Sequence, residues 1–376
     1  MIDDHAHPFA LAGGPLDLAA LSLDVGTEPG AADRRQVLGP SRLFQELLTV
    51  RLANHLGCRP DEVSEARAQA SDDWASYVLG LFRDAGIKGI VMDPAWPPGA
   101  AEQLERYAEL AGCPIYPILR LEPIVDRLIN ERAGAGEIVE AVGRAMGEAA
   151  SRGWVGFKTI LAYRTGLAVN PDVTWQVAEA SLRSDVPVRR RGKACRDLIL
   201  REALAMAADL GLPFQIHTGM GDSKIRLAES NPLLLEDLLH SPQGSAGRIV
   251  LIHGSYPWTE ELAYLAATSP NVWADLSLCN IFSPITTADR LLRLVDLAPT
   301  DRILLASDGY QEPELHWFGA VTLRDAWERV RSTQAAAGAR ASWLEGVEHG
   351  IFEGNARALY SGFRRMWAHG ETENAG

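Results

Sequence analysis

Met1-Ile2-Asp3-Asp4-His5-Ala6-His7 opens the chain and reads as a short β-strand with two histidines at its far end. Side chains alternate between the two faces of a strand, so residues two apart point the same way. Both imidazoles therefore face one side, close enough to chelate one ion. A His-x-His pair alone fits a chance surface pair equally well. Its weight depends on what the rest of the chain brings to the same place.

Further strands are predicted at residues 89–93, 115–120, 155–160, 213–217, 249–253, 272–276 and 303–308, making eight with residues 1–7. Helical stretches lie between most of them; one, at 196–210, is rich in Ala and Leu and stops at Gly211. This alternation predicts a parallel sheet wrapped by helices, and eight strands suit a closed (β/α)8 TIM barrel of the metal-dependent hydrolase type. An open doubly wound sheet is the alternative, disfavoured by the absence of a GxGxxG turn after the first strand. The reading gives one barrel domain over residues 1–370 and a flexible tail at 371–376. An insertion at about 9–84 is too long for an ordinary connection. It holds two predicted helices, 42–56 and 60–82, joined through Gly57, and serves either as a lid or substrate wall or as a plain structural cap.

Each of three later strands ends on a residue that can bind metal: His217 in QIHTG, His253 in LIHGS and Asp308 in ILLASDG. A glycine follows each within two residues, which places them at the barrel mouth, where catalytic residues of this fold gather. A lone histidine at a strand end is more often a hydrogen-bonded core residue. Four strand ends offering His5 and His7, two further histidines and an aspartate reverse that balance. Imidazoles with a carboxylate suit zinc, and manganese or iron would also fit.

Lys158 interrupts the apolar strand VGFKTI, where a buried ammonium is costly unless paired or neutralised. Three outlets are open: a salt bridge inside the barrel, a neutral lysine for acid–base work, or carboxylation that lets it bridge two metals, with His217 and His253 on the second. On the substrate side, Arg120 and Arg164 are suited to grip a carboxylate. An ion pair with Glu122 or with a nearby acid such as Asp222 is the plainer reading. Tyr256, Trp258, Tyr310 and Trp317 flank the mouth residues as an apolar wall or as ordinary packing. His316 supports the site from behind or caps the following helix.

The net charge of -13 argues against a nucleic-acid surface. The one dense basic run, Arg189, Arg190, Arg191 and Lys193, is read as a solvated loop, with binding of an anionic phosphate as the other reading. Four separated cysteines form no CxxC pair and read as reduced, buried thiols. No signal-peptide run or membrane-length apolar stretch is present, so the expectation is a cytoplasmic protein with a small-molecule substrate, forming a homo-oligomer if it associates.

Taken together, the strand-end residues resemble the ligand order of the amidohydrolase superfamily (family 2). More closely, GFKTILAYRTGL (156–167), QIHTGMGD (215–222), SNPLLLEDLL (230–239), IVLIHGSYPW (249–258) and LLASDGYQEPE (304–314) resemble the amidohydrolase domain of fungal FluG and plant nodulin-type proteins. There the domain adjoins a glutamine synthetase-like domain. The resemblance implies one or two divalent ions. His5, His7 and Asp308 would hold the first, completed by His217 in a one-metal site. In a two-metal site His217, His253 and a carboxylated Lys158 would serve the second. It also implies that Asp308 takes a proton from water and that His253, with one metal, polarises the substrate carbonyl. The implied reaction is hydrolysis of an amide C–N bond, of the γ-glutamyl type if the fusion partner is a guide. Metal-dependent decarboxylation of an aromatic or unsaturated acid is the alternative. A non-catalytic metal-binding regulatory module is a third reading, which the intact ligand set argues against.

Overall fold

Eight parallel strands pair in chain order into one sheet: β1 Ile2–Ala6, β2 Gly89–Met92, β3 Ile115–Arg120, β4 Gly156–Thr159, β5 Phe214–His217, β6 Ile249–Ile252, β7 Val272–Leu276 and β8 Ile303–Leu305. The computed structural model describes residues 1–14, 16, 21–23, 42–183 and 186–360, and the expected tail at 371–376 lies outside them. Closure comes just beyond β8, where Asp308 N–H donates to the His5 carbonyl at 2.9 Å and His7 N–H to the Gly309 carbonyl at 2.8 Å. The result is the (β/α)8 barrel that the sequence predicts.

Alternation sorts the two sides of the barrel wall. In β6, Ile249 and Leu251 join the large cluster beneath the outer helices, whereas Val250 and Ile252 pack with Val91, Ile118, Trp273 and Tyr360 in a separate inner cluster. The register then fixes the site: Lys158 pairs with Gln215, Gln215 with Val250, and His217 with Ile252. Lys158, Gln215 and His217 therefore share the inward face. Gln215 Nε2 donates to the Asp4 carbonyl and to the Tyr360 hydroxyl, both at 2.9 Å, which closes the lower end.

Five strands, β1, β2, β4, β6 and β8, end earlier than expected, and in β6 and β8 the predicted last residue could not have belonged to the strand. His253 (φ 70°) and Asp308 (φ 53°) adopt left-handed conformations that no strand can continue. A register irregularity in β1 between Asp3 and Ala6 also breaks strict alternation there.

The insertion departs from its two expected helices. Its first helix is Leu43–Leu56, ended by Gly57 in the left-handed conformation (φ 69°). The predicted 60–82 helix is instead broken into Val63–Ala70 and Trp74–Asp84, because Asp73 accepts from Ser76 N–H and starts a new helix. Among the described residues, no helix is long and apolar enough to cross a membrane.

Candidate metal centre

At the C-terminal mouth of the barrel, His5, His7 and Asp308 bring one ligand atom each within 4.8 Å of one another. Asp308 Oδ1 is buried and has no hydrogen-bond partner, yet His5 Nε2 and His7 Nε2 face it at 3.5 and 3.6 Å. Those separations exceed a good hydrogen bond and leave room for a shared cation. The tautomer agrees for His7: its Nδ1 lies 3.1 Å from the Asp93 carbonyl, so Nδ1 donates and the Nε2 lone pair faces Asp308. Burial, with the Lys158 charge nearby, lowers His7 to a pKa of about 3 and holds His5 well below the usual range, so both are neutral. Burial pushes the Asp308 carboxyl well above its ordinary range. The buried donor set fits a divalent ion.

His253 and His217 stand beside this cluster, their rings 4.4 Å apart. Ser277 Oγ donates to Asp275, so it accepts from His253 Nδ1 at 3.0 Å. That tautomer leaves His253 Nε2 as an acceptor while Nδ1 sits 3.4 Å from Asp308 Oδ2. His217, expected as a ligand, lines the same cavity but points Nε2 at the Met220 carbonyl, 3.0 Å away, and stays outside the ligand-atom cluster.

Lys158 has an acid within ion-pair range, as the first of its three outlets requires. It is 1% exposed, lies 3.4 Å from Asp93 Oδ2 and sits 2.7 Å from His5 Nε2. Burial lowers it to about 8, against the pull of Asp93. Arg120 shares that carboxylate at 2.6 Å, so its partner is Asp93 rather than Glu122. Arg164 pairs with Asp126 at 2.7 Å rather than with Asp222. Sequence order alone could not choose among acids carried by different elements of the fold.

These groups surround a cavity of about 660 Å³. Arg120, Arg164 and Tyr310 line it, as do Tyr163 and Trp96, which the sequence reading passed over. Leu23 brings the insertion into the wall, which favours the substrate-wall reading of that segment over a plain cap. Three residues expected in the wall, Tyr256, Trp258 and Trp317, lie outside it, whereas His316 stands behind the site, as one of its two readings had it. Tyr256 and Trp258 are not in the lining; Arg290 instead lies 5.3 Å over the Tyr256 ring. His316 is fully buried behind Gly309 and packs against Phe9 and Phe82, because its helix, Pro313–Ala336, runs behind the mouth. Trp317 likewise lies outside the lining and donates to Asp84 at 2.6 Å.

Backbone strain gathers at the same place. His253, Ser255, Leu278, Asp308 and Gln311 are non-glycine residues with positive φ, all following β6, β7 or β8. Such positions cost about 1–3 kcal/mol each and persist where surrounding structure imposes them. Gly221 shows how close the packing is: a Cβ there would meet the Tyr163 hydroxyl at 1.9 Å and His217 Nε2 at 3.3 Å. Gly221→Ala is expected to displace Tyr163 and lower kcat/KM about 10²-fold with little change in thermal midpoint. Unchanged kinetics would mean that Tyr163 moves without consequence for the site.

A sequence model of the amidohydrolase family matches residues 2–362. The protein fluG of Emericella nidulans is 34% identical over 196 residues, covering 47% of this chain and 22% of that protein. The chain thus spans about a fifth of that relative's length. A crystal structure from Lactobacillus casei ATCC 334, provisionally described as a metal-dependent hydrolase, superposes with a TM-score of 0.84 at 26% identity, covering 96% of this chain and 95% of the other. Uronate isomerase from Thermotoga maritima shares the fold with a TM-score of 0.67 at 13% identity, covering 96% and 94%.

Proposed function

Because this chain belongs to the amidohydrolase family, we propose that it hydrolyses an amide C–N bond of a small molecule with a water activated at His5, His7 and Asp308. The observation that carries this reading is the buried, unpartnered Asp308 Oδ1 faced by two imidazole nitrogens at 3.5 and 3.6 Å. Zinc suits these donors best, with manganese or iron as alternatives. A divalent ion bound there lowers the pKa of water towards about 7 and polarises a carbonyl.

The chain's own groups supply the rest. Asp308 takes a proton from the attacking water and passes it to the leaving nitrogen. His253 stays neutral in its buried setting, and its one ring proton, on Nδ1 between Ser277 Oγ at 3.0 Å and Asp308 Oδ2 at 3.4 Å, is the donor it can turn to the carbonyl oxygen. Lys158 and Arg120, sharing Asp93, hold the floor of the site in place. The resemblance to FluG-type domains supports a γ-glutamyl amide as the substrate type. The test is a panel of small amides, γ-glutamyl ones included, offered to metal-loaded protein while released amine is measured. No turnover across the panel would count against the reading.

Pairing of Lys158 with Asp93 supports a single ion. Metal analysis is expected to give about one ion per chain in the wild type and in Lys158→Met alike. Two ions falling to one in the variant would establish a lysine bridge instead. A one-ion site also supports decarboxylation as the second reading, and carbon dioxide release from candidate acids would identify it.

A further inference from the structure

The basic run at 189–193 divides by partner. Arg190 pairs with Glu229 at 2.6 Å and Lys193 with Asp197 at 2.5 Å, so both are structural. Arg189 differs. It lines the cavity, donating from Nε to the Tyr163 carbonyl at 2.6 Å and from Nη2 to the Lys224 carbonyl at 2.7 Å. Two backbone carbonyls fix the guanidinium plane without neutralising it. Among the described residues no carboxylate forms an ion pair with Arg189, and Nη1 has no partner. The two other guanidinium groups in the lining are spoken for, Arg120 by Asp93 and Arg164 by Asp126. Asp126 also serves Arg196, so it offsets only part of the positive charge on that side. Burial and the Arg164 charge work against the Arg189 cation, while Asp222, which lines the same cavity without forming an ion pair with Arg189, works in its favour.

Its placement suits the far end of a substrate. The Arg189 guanidinium lies 5.9 Å from the Tyr163 ring centre, Tyr163 touches the His217 ring at 4.7 Å, and His217 touches His253 at 4.4 Å. Two rings thus separate the cation from the reacting end.

We propose that Arg189 is a specificity-determining residue that grips a carboxylate at the distal end of the substrate, so that the substrates are anionic amides. The amide part rests on the function proposed above; the carboxylate grip does not. With Nε and one Nη2 hydrogen engaged, the remaining edge of the fork matches the two oxygens of one carboxylate. A phosphate could present the same pair of oxygens but would leave its further negative charge without a partner, since the two other guanidinium groups in the lining are already ion-paired.

The test compares binding, by calorimetry, of succinamate, glutaramate and adipamate with their uncharged diamides on metal-loaded protein. The wild type is expected to prefer the best carboxylate of the series by about tenfold or more over its diamide. Arg189→Gln abolishes that preference and Arg189→Lys, which keeps the charge, retains part of it, while diamide affinity is unchanged in both. A wild type without preference overturns the proposal. So does a preference that survives in Arg189→Gln, as a carboxylate bound at the metal centre would give, or one lost equally in both variants. Amide turnover is scored separately. Preference without turnover removes the hydrolase reading and keeps the role of Arg189; turnover without preference does the reverse.

Discussion

Asp308→Asn is expected to keep its fold while losing about 10³-fold or more of its turnover together with most of its bound metal. The carboxylate is 5% exposed, and its Oδ1 faces two imidazole nitrogens with no hydrogen-bond partner of its own. Asparagine has the same shape and tolerates the left-handed backbone at this position (φ 53°) better than most residues. It can neither take a proton from water nor supply an anionic ligand. Stability should separate the two causes. Without metal, the variant melts no lower than the wild type, because an unpaired buried anion is itself costly. With metal, only the wild type gains the upward shift that binding to the native state gives. Near-normal kcat/KM in the variant would reject Asp308 as the proton carrier, and an equal metal-induced shift in both proteins would reject it as a ligand.

The second large effect is on stability. Arg67, in helix Val63–Ala70 of the insertion, is 1% exposed and bonds Glu314 at 2.8 Å and Glu312 at 2.9 Å. Tyr77 donates to the same Glu314 at 2.8 Å, and the Arg67 guanidinium lies over the Trp74 ring at 4.7 Å. Removing one partner of a buried ion pair costs about 3–5 kcal/mol because the remaining charge is stranded. Arg67→Met strands Glu314, which is fully buried, and is expected to lower the free energy of unfolding by that amount in denaturant titrations. Arg67→Met with Glu314→Leu should recover much of the loss, since an apolar replacement of the whole pair is often neutral. A loss below about 1 kcal/mol in the single variant would mean that Glu314 is protonated or reached by water. The network also ties the insertion to the segment just after Asp308. The single variant should therefore bind metal more weakly than the wild type, though less drastically than Asp308→Asn.

The positions that sequence reasoning placed well share one property: their faces follow from local periodicity. Lys158 and His217 lie on uninterrupted strands, where alternation and the apolar pattern decide which side points inward, although what His217 Nε2 meets there, the Met220 carbonyl, was not legible. The positions it misjudged lie after the strands. Trp317 sits on a helix whose direction depends on the sharp turn at Asp308 and Gly309. Tyr256 and Trp258 follow the left-handed stretch that begins at His253. Neither turn has a local pattern that fixes where the chain goes next. The partners of Arg120 and Arg164 were equally illegible, because Asp93 reaches Arg120 from the end of β2 and Asp126 reaches Arg164 from the helix Glu122–Asn130. For Tyr163 a usable signal was present, since it stands one residue before Arg164 at the end of a strand predicted to reach the mouth.

By itself the sequence determined the barrel, its eight strands and the convergence of histidines and an aspartate at one end, because a strand's period of two and a helix's period near four are written in consecutive residues. Tertiary structure alone decided which cations were already satisfied. An ion pair is settled by distance across the barrel mouth, and that distance exists only once all eight strands have closed. Arg189 shows the difference: one of four basic residues within positions 189–193 on paper, it is the one the fold turns into the cavity and leaves without a carboxylate partner among the described residues.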